Sequence, residues 1–372
     1  MSAALRCECV VVGAGAVGLA VTRALALRGV EVVCLEAGPR AGEGVSSRSS
    51  EVVHAGLYYG DDLPIKRRCC VEGRERLYAY CEAKRVPYDV KGKLVVAQDG
   101  QAAGLDRLEA LAAAAGVGGL ARLGPGDVAA LEPSVRCAEA LLSPRTGVFD
   151  SAAYVHALLD DCEALGAVVA TNHEVLGVDG SGALAVATGG ATTSVLADRV
   201  VNAAGLSAAA LCATFGAAAA PATLLARGTY FALRGPSPFA RLVYPLPDPR
   251  GGLGVHATVG LDGRARFGPD VEWLPPGTQP DAPDLFAVDE GRAAAFYGAV
   301  RSYYPALADG ALAADYAGVR PKLRPPSDGA ADFCLLADGA TLHVLGVESP
   351  GLTASLALAE EAADAALGLP RR

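Results

Sequence analysis

The chain has 372 residues, of which 52% are hydrophobic and 20% are charged. This composition excludes a disordered or fibrous protein, because so much apolar surface has to be buried, and the length suits one large domain or two intertwined ones. The formal net charge of −9 argues against nucleic acid as a partner, since such binding requires a basic surface. An acidic chain can still contain a locally basic pocket for an acidic substrate.

The cysteines and the apolar segments exclude further classes. Ten cysteines are scattered without a C-x-x-C pair or a histidine cluster, so we predict reduced thiols and no metal site. Few residues precede the first predicted strand, so the sequence as it stands predicts a cytoplasmic protein, or a mitochondrial one if it is eukaryotic. Residues 207–226 are apolar, but they are rich in alanine and contain Gly216 and Pro221. We therefore predict a buried helix and a loop there, and no transmembrane span.

The start of the chain has the pattern of a dinucleotide-binding unit. A predicted strand at residues 9–12 leads into the glycine turn 13–18, which reads G-x-G-x-x-G. A predicted helix and a second strand at 30–35 follow, and this strand ends at Glu36. Strand, glycine turn, helix, strand and acid in this order are typical of dinucleotide binding. The lesser alternative is an Ala/Gly-rich unit without a ligand.

Each part of this pattern has a chemical role. Gly13 permits the tight turn, Gly15 lets the backbone approach a pyrophosphate, and Gly18 lets the helix pack on the strand. The free N–H groups of the helix N-terminus, which begins at Ala16, can bind phosphate oxygens. Glu36 can accept hydrogen bonds from both ribose hydroxyls.

The segment after the second strand favours FAD over NAD. An NAD enzyme needs a site for the second half of its cofactor in the same contiguous fold. Here residues 44–50 read Gly-Val-Ser-Ser-Arg-Ser-Ser, a hydroxyl-rich turn suited to phosphate and ribityl contacts. A solvated loop is the alternative that composition alone favours.

From residue 49 onward the sequence resembles a family of flavoproteins. Residues 49–59, Ser-Ser-Glu-Val-Val-His-Ala-Gly-Leu-Tyr-Tyr, are similar to the family that includes D-amino-acid oxidase, glycine oxidase and sarcosine oxidase. Within it they most resemble the L-2-hydroxyglutarate dehydrogenase/oxidase branch. Similar segments follow in order along nearly the whole chain, at residues 92–97, 146–150, 227–231, 244–248, 253–256, 267–269, 318–322, 332–333 and 349–353.

The resemblance implies an α/β fold with two interleaved domains. One is a Rossmann-like FAD-binding domain of the glutathione-reductase type, expected at residues 1–85, 145–220 and 325–372. The other is an α+β substrate-binding domain on a mostly antiparallel sheet, expected at residues 86–144 and 221–324. Local patterns agree, with predicted helices at 105–115, 126–131, 151–165, 287–303 and 352–366 and short strands at 168–170, 174–178, 183–187, 198–201, 333–336 and 342–347.

The glycine pattern and the resemblance together predict the contacts of a noncovalently bound FAD. The last helix is expected to direct its N-terminus at the flavin edge, where it can stabilise negative charge. The predicted contacts are Gly13, Gly15, Ala16, Gly18, Glu36, Ala37, Ser46, Ser47, Ser49, Val175, Ala204, Gly205, Gly351, Leu352 and Thr353.

Oxidation of a 2-hydroxy acid on a flavin needs a base for the hydroxyl proton and cations for the carboxylates. His54 is the predicted base, because its ordinary pKa lies near working pH. A structural histidine beneath the flavin is an equal alternative. Arg320 is the predicted carboxylate clamp, because a guanidinium pairs bidentately with a carboxylate.

Other polar residues in the matching segments are second candidates. Lys93, Arg227 and Lys322 are possible additional cations, although ordinary surface charge is the favoured interpretation of Lys322. Hydrogen-bond donors to the distal end of a dicarboxylate are expected among Tyr59, Tyr244 and His256. These three residues are equally compatible with a core position in which the polar tip is satisfied.

The expected activity is FAD-dependent oxidation of a small 2-hydroxy acid to the 2-oxo acid, with L-2-hydroxyglutarate as the named substrate. An oxidase or dehydrogenase of an amine such as glycine or sarcosine is one alternative. A flavin-binding protein without turnover is another. The sequence leaves the electron acceptor open among oxygen, a quinone and an electron-transfer flavoprotein.

Overall fold

The computed structural model describes residues 5–217, 221–247 and 254–370, so Asp248 and Leu253 of the matching segments lie outside the described residues. The strands are β1 (Leu5–Val12), β2 (Val32–Leu35), β3 (Val52–Val53), β4 (Tyr88–Asp89), β5 (Lys93–Ala97), β6 (Ala121–Leu123), β7 (Glu139–Ser143), β8 (Gly147–Phe149), β9 (Val168–Ala170), β10 (Glu174–Val178), β11 (Leu184–Thr188), β12 (Ala191–Asn202), β13 (Leu224–Leu233), β14 (Leu242–Pro245), β15 (Ala257–Val259), β16 (Ala265–Phe267), β17 (Glu272–Trp273), β18 (Leu312–Lys322), β19 (Cys334–Asp338) and β20 (Thr341–Leu345). The helices are α1 (Ala16–Ala26), α2 (Pro64–Lys84), α3 (Ala102–Ala114), α4 (Pro125–Leu131), α5 (Ser151–Ala164), α6 (Ala208–Thr214), α7 (Ala293–Arg301) and α8 (Gly351–Ala366).

The first sheet contains the glycine motif. Its strand order is β10-β11-β12-β1-β2-β9, and β20 pairs with β12. Strand β1 is parallel to both β12 and β2, because α1 carries the chain back between β1 and β2. Its residues Cys9, Val10 and Val11 are fully buried, as expected for a central parallel strand covered on both faces. Helices α1, α5 and α8 pack together in the core that covers this sheet.

The second sheet draws its strands from two separate parts of the chain, residues 93–143 and 224–322. Its order is β17-β13-β16-β15-β14-β5-β7-β6, with β18 paired to β13. The pairing is antiparallel except between β14 and β5. Its core includes Phe231, Phe267 and Phe296, each of which contributes roughly 1.5–3 kcal/mol by burial. The predicted fold class, α/β with parallel and antiparallel sheets, is confirmed.

Helix α2 is a long element that the sequence pattern does not indicate. Its 21 residues include many charged side chains, and its buried positions include Lys66 and Arg74. Charges on the buried face weaken the helical hydrophobic period, so periodicity alone cannot reveal this helix. Gly73 lets α2 approach α8 closely, since a Cβ there would lie 2.3 Å from the carbonyl oxygen of Thr353.

Two other predicted elements differ from the structure. The helix expected at 287–303 is shorter and begins at Ala293, because Asp289 caps a preceding 3-10 turn by accepting a hydrogen bond from the N–H of Gly291. In the apolar segment 207–226, a short helix is followed by strand β13. None of the helices within the described ranges is both long and apolar enough to cross a membrane.

Candidate functional site

A cavity of about 1330 Å³ is lined by residues of the first and second sheets and by residues of the small third sheet, β3-β8-β4, which contributes Val52. All but one of the predicted FAD contacts line it, namely Gly13, Gly15, Ala16, Gly18, Glu36, Ala37, Ser46, Ser49, Val175, Ala204, Gly205, Gly351, Leu352 and Thr353. Ser47 contradicts the prediction. It is exposed, its hydroxyl donates to the carbonyl oxygen of Gly44 at 3.2 Å, and it lines a smaller cavity of about 170 Å³ instead.

The glycine turn, residues 13–18, forms a backbone cradle at the cavity, and there is no room for a side chain at Gly13 or Gly18. Gly13 has a φ of +98°, and a Cβ there would lie 2.7 Å from the carbonyl oxygen of Ala203. A Cβ at Gly18 would lie 1.8 Å from the carbonyl oxygen of Gly13. Because α1 starts in direct contact with β1, its first N–H groups lie at the cavity, where phosphate oxygens can bind. Ser46 already offers an oxygen at this place, since its Oγ accepts a hydrogen bond from the N–H of Ala16 at 3.0 Å.

Glu36 is held at the cavity wall by two backbone groups. Its Oε2 accepts from the N–H of Ala14 at 2.7 Å, and its Oε1 accepts from the N–H of Gly38 at 2.8 Å. A carboxylate has about four acceptor sites, so capacity remains for the hydroxyls of a ribose. The cradle, the N–H groups at the start of α1 and this carboxylate therefore fit a dinucleotide such as FAD.

His54 lies at the other end of the cavity. Its backbone N–H donates to Oγ1 of Thr353 at 3.1 Å, and its Nε2 lies 3.3 Å from Oγ of Ser349. Its Nδ1 has no hydrogen-bond partner among the described residues. Burial, followed by the positive charges of Lys93 and Arg320, lowers the pKa of His54 to about 3. His54 is therefore neutral at physiological pH and can accept a proton.

The two predicted arginines have different surroundings. Arg320, on β18, lines the cavity and forms no ion pair within the described part of the chain. Arg227, on β13, does not line the cavity. Its Nε and Nη2 each donate to Glu272 at 3.0 Å, and its Nη1 donates to the carbonyl oxygen of Asp284 at 2.9 Å. These bonds occupy the guanidinium of Arg227 and contradict its predicted role as a clamp.

Lys93 and Tyr244 are fully buried and do not line the cavity, which contradicts direct substrate contact. The Nζ of Lys93 donates to the hydroxyl of Tyr58 at 3.1 Å and lies 4.7 and 4.6 Å from the ring centroids of Tyr58 and Tyr244. Burial lowers the pKa of Lys93 to about 7. Tyr58, which is not among the residues predicted from sequence, lines the cavity in front of Lys93.

His256 and Tyr59, two of the predicted substrate contacts, line the cavity. The Nδ1 of His256 lies 3.1 Å from the carbonyl oxygen of Gly254, which can only accept, so this nitrogen carries the hydrogen. Burial lowers the pKa of His256 well below its usual value, so the ring is neutral and its Nε2 is an acceptor. The predicted role of His256 as a donor is therefore wrong. Its ring stacks on Tyr244, with the ring centroids 3.8 Å apart.

A buried ion cluster also lines the cavity. The Nζ of Lys66 lies 3.0 Å from Oε1 of Glu348, and the Nζ of Lys322 lies 2.6 Å from Oε2. Although burial alone raises the pKa of Glu348, these two cations hold it below its usual value. The interpretation of Lys322 as surface charge is wrong. No local signal points to this cluster, because Lys66 lies on the unpredicted helix α2.

The two sheets, the glycine cradle and the acid at the end of β2 define a dinucleotide-binding protein with an adjoining polar pocket. Residues 8–365 match the sequence profile of the FAD dependent oxidoreductase (DAO) family. The chain belongs to this family and is an FAD-dependent oxidoreductase. This confirms the resemblance and FAD as the cofactor.

Individual relatives agree with this assignment. The chain is 38% identical over 406 residues to the mitochondrial L-2-hydroxyglutarate dehydrogenase of Arabidopsis thaliana, an alignment that covers 96% of this chain and 83% of the relative. It is 26% identical over 391 residues to the L-2-hydroxyglutarate dehydrogenase of Indibacter alkaliphilus, with 94% and 96% covered. The structure of L-alpha-glycerophosphate oxidase from Mycoplasma pneumoniae, solved with FAD bound, has the same fold, with a TM-score of 0.86, 22% identity and 97% and 95% covered.

Proposed function

We propose that this enzyme oxidises a small 2-hydroxy acid to the corresponding 2-oxo acid and that its substrate is L-2-hydroxyglutarate. The observation that carries this proposal is that one cavity contains a neutral histidine, His54, and a cation, Arg320, that forms no ion pair with a carboxylate of the described residues. A 2-hydroxy acid needs one group for its carboxylate and one for its hydroxyl proton. The 38% identity to a protein named L-2-hydroxyglutarate dehydrogenase supports this substrate.

In the proposed reaction, bound FAD supplies the capacity to accept the hydrogen on the substrate carbon together with two electrons. Arg320 binds the carboxylate next to that carbon and so fixes its orientation. His54 takes the hydroxyl proton. A carboxylate beside Arg320 offsets part of the positive charge that lowers the pKa of His54, so the histidine becomes a stronger base when substrate is present.

The proposal includes the expected FAD contacts, apart from Ser47, and the expected boundaries of the FAD-binding and substrate-binding domains. We expect FAD to be bound noncovalently. Cys334, on β19, does not line the cavity, and burial raises the pKa of its thiol, so it is a poor nucleophile. Denaturing extraction should release all the flavin, and yellow colour retained by the denatured protein would contradict this expectation.

Anaerobic mixing tests the substrate. L-2-Hydroxyglutarate should bleach the flavin absorbance of the purified enzyme, whereas lactate, malate and sarcosine should act slowly or not at all. Bleaching by sarcosine or glycine alone would overturn the proposal in favour of an amine oxidase. No bleaching by any member of a broad panel would favour a flavin-binding protein without turnover.

The acceptor and the compartment need separate experiments. Reoxidation of the bleached enzyme by oxygen, by a soluble quinone or by an electron-transfer flavoprotein identifies the acceptor class by its rate.

The mitochondrial relative supports a mitochondrial location of the enzyme in a eukaryotic host, and cell fractionation tests this location. Recovery in the cytosolic fraction alone would contradict a mitochondrial site.

A further inference from the structure

A buried lysine without a carboxylate partner lies beside the cavity wall. Lys93, on β5, is fully buried, and the ion pairs of the described residues do not include it. Its Nζ donates to the hydroxyl of Tyr58 at 3.1 Å and packs against two tyrosine rings. Burying an ammonium in this way is costly, and strongly perturbed buried groups beside a cavity are concentrated at functional sites.

The hydrogen bond from Lys93 determines the direction of the Tyr58 hydroxyl. An ammonium has three donors and no acceptor, so the phenol oxygen is the acceptor of this bond. The proton of Tyr58 therefore points away from Nζ and is available to another acceptor. Burial raises the pKa of Tyr58, so the phenol keeps this proton. Tyr58 is partly exposed and lines the cavity, where a ligand can accept the bond.

Lys93 and Arg320 influence the same histidine, since the positive charge of each lowers the pKa of His54. The candidate base is thus within electrostatic reach of two separate cationic groups, one in direct contact with the cavity and one behind Tyr58. Two such groups match the two carboxylates of a dicarboxylic acid, whereas a monocarboxylic acid such as lactate needs only one.

We propose that Tyr58 donates a hydrogen bond to the distal carboxylate of the substrate and that Lys93 is the positioning residue that directs this hydroxyl into the cavity. The inference rests on the proposed function, because it assigns the second carboxylate of the proposed substrate. It also gives Lys93 a role through Tyr58 in place of the direct contact that the sequence suggested. The selected substrate class is a short dicarboxylic 2-hydroxy acid.

The cluster of Lys66, Lys322 and Glu348 is the competing site for that carboxylate. Both of its ammonium groups are already within hydrogen-bond distance of Glu348. A further carboxylate there would face the negative charge of Glu348, whereas no carboxylate of the described residues is hydrogen-bonded to the Tyr58 hydroxyl. The structure therefore favours Tyr58, and a variant of Lys322 separates the two sites.

The test measures binding without turnover. The FAD-loaded enzyme is titrated with glutarate, a dicarboxylate without the hydroxyl, and with butyrate, its monocarboxylate analogue, and the shift of the flavin spectrum gives each Kd. Tyr58→Phe should raise the Kd of glutarate roughly 10-fold, the usual cost of a lost hydrogen bond to a charged group. The Kd of butyrate should stay within about 2-fold of the wild-type value. Lys93→Met should have a similar effect alone and little further effect in the Tyr58→Phe background, because coupled residues are non-additive.

Two controls accompany the titrations. Tyr78→Phe removes a hydroxyl outside the cavity, which donates to the carbonyl oxygen of Arg145, and should leave both Kd values unchanged. Thermal melts check that each variant is folded. If Lys93→Met fails to fold, Tyr58→Phe alone still decides the main claim. In turnover, Tyr58→Phe should raise KM for the dicarboxylate about 10-fold while kcat changes by less than about 3-fold.

Several results would overturn the inference. The first is an additive loss of glutarate affinity in the double variant, and the second is an equal rise in the Kd values of glutarate and butyrate in Tyr58→Phe. The others are a wild-type enzyme that does not bind glutarate more tightly than butyrate, and loss of this preference only in Lys322→Met. Failure of L-2-hydroxyglutarate to bleach the flavin would instead overturn the proposed function. Because glutarate binding needs no turnover, the two failures are distinguishable.

Discussion

The two ends of the cavity are built by different means. At the end of the glycine turn, backbone N–H groups and one carboxylate from residues 13–36 make the wall. At the end of His54, side chains from separate segments of the chain meet, and several of them are charged and buried. A backbone-built site is sensitive to an added Cβ, whereas a site of buried side chains is sensitive to the loss of one charge or hydrogen bond.

The largest effect is expected at the backbone-built end. Gly18→Ala places a Cβ 1.8 Å from the carbonyl oxygen of Gly13, so α1 must move away from β1. We expect FAD to be absent from the purified variant and the unfolding free energy to fall by about 3 kcal/mol or more. Flavin absorbance measures the bound FAD, and urea denaturation measures the unfolding free energy. Gly298→Ala, in α7 with open space around it, is the control and should keep FAD. Retention of FAD by Gly18→Ala would show that FAD binding does not depend on the close approach of α1 to β1.

The next effect concerns the proposed base. His54→Ala should retain FAD, because the cradle is unchanged, and should slow flavin bleaching about 10²- to 10⁴-fold. Stopped-flow absorbance under anaerobic conditions measures the rate. Bleaching at the wild-type rate would eliminate His54 as the base and leave it a structural role.

The buried cluster should be sensitive to the loss of one charge. Glu348→Gln leaves Lys66, whose side chain is 3% exposed, without its counter-charge, and we expect a loss of about 3 kcal/mol in unfolding free energy. Glu360→Gln is the matched control, because this carboxylate is 36% exposed in its pair with Arg28. That change should cost less than about 1 kcal/mol. Equal costs in urea denaturation would contradict a special sensitivity of buried side chains.

A smaller effect is expected when the cation in the cavity is removed. Arg320→Met should raise KM for the 2-hydroxy acid roughly 10- to 100-fold, the range expected for a charge-assisted hydrogen bond. Arg227→Met removes a guanidinium that is bound to Glu272 outside the cavity and should leave KM within about 2-fold. Steady-state kinetics with both variants compare the two arginines. A larger rise in Arg227→Met would reverse their assignment.

The smallest effect is a pH dependence at the same end. Burial lowers the pKa of Lys93 to about 7, so the amine loses its proton as pH rises through 7 and can then accept the proton of Tyr58. Glutarate should therefore bind more tightly below pH 7 than above it, by about 3- to 10-fold, and this dependence should vanish in Lys93→Met. A dependence that persists in that variant would assign the titration to another group. The titratable groups near Lys93 are Tyr58, Tyr244, Cys70, His54 and His256, and burial moves the pKa values of the histidines down and those of the thiol and phenols up.

Much of the fold and of the cofactor site is predictable from local sequence. Most predicted strands and helices occur within a few residues of their expected bounds, because their apolar periods are regular. Helix α2 is missed because its buried face contains Lys66 and Arg74. A charged residue in a sequence is assigned to the protein surface unless the buried partner that compensates its charge is known.

The sequence by itself determined the glycine turn and the acid that follows it, since Gly13, Gly18 and Glu36 act through backbone geometry within one contiguous unit. Only the tertiary structure decided which cations reach the cavity. Arg320 and Arg227 lie on paired strands and have the same chemistry, yet Arg227 forms an ion pair and Arg320 forms none with the residues that the structure describes. Lys66 and Glu348 are 282 positions apart. Such partners are set by packing of distant segments, and no local pattern encodes that packing.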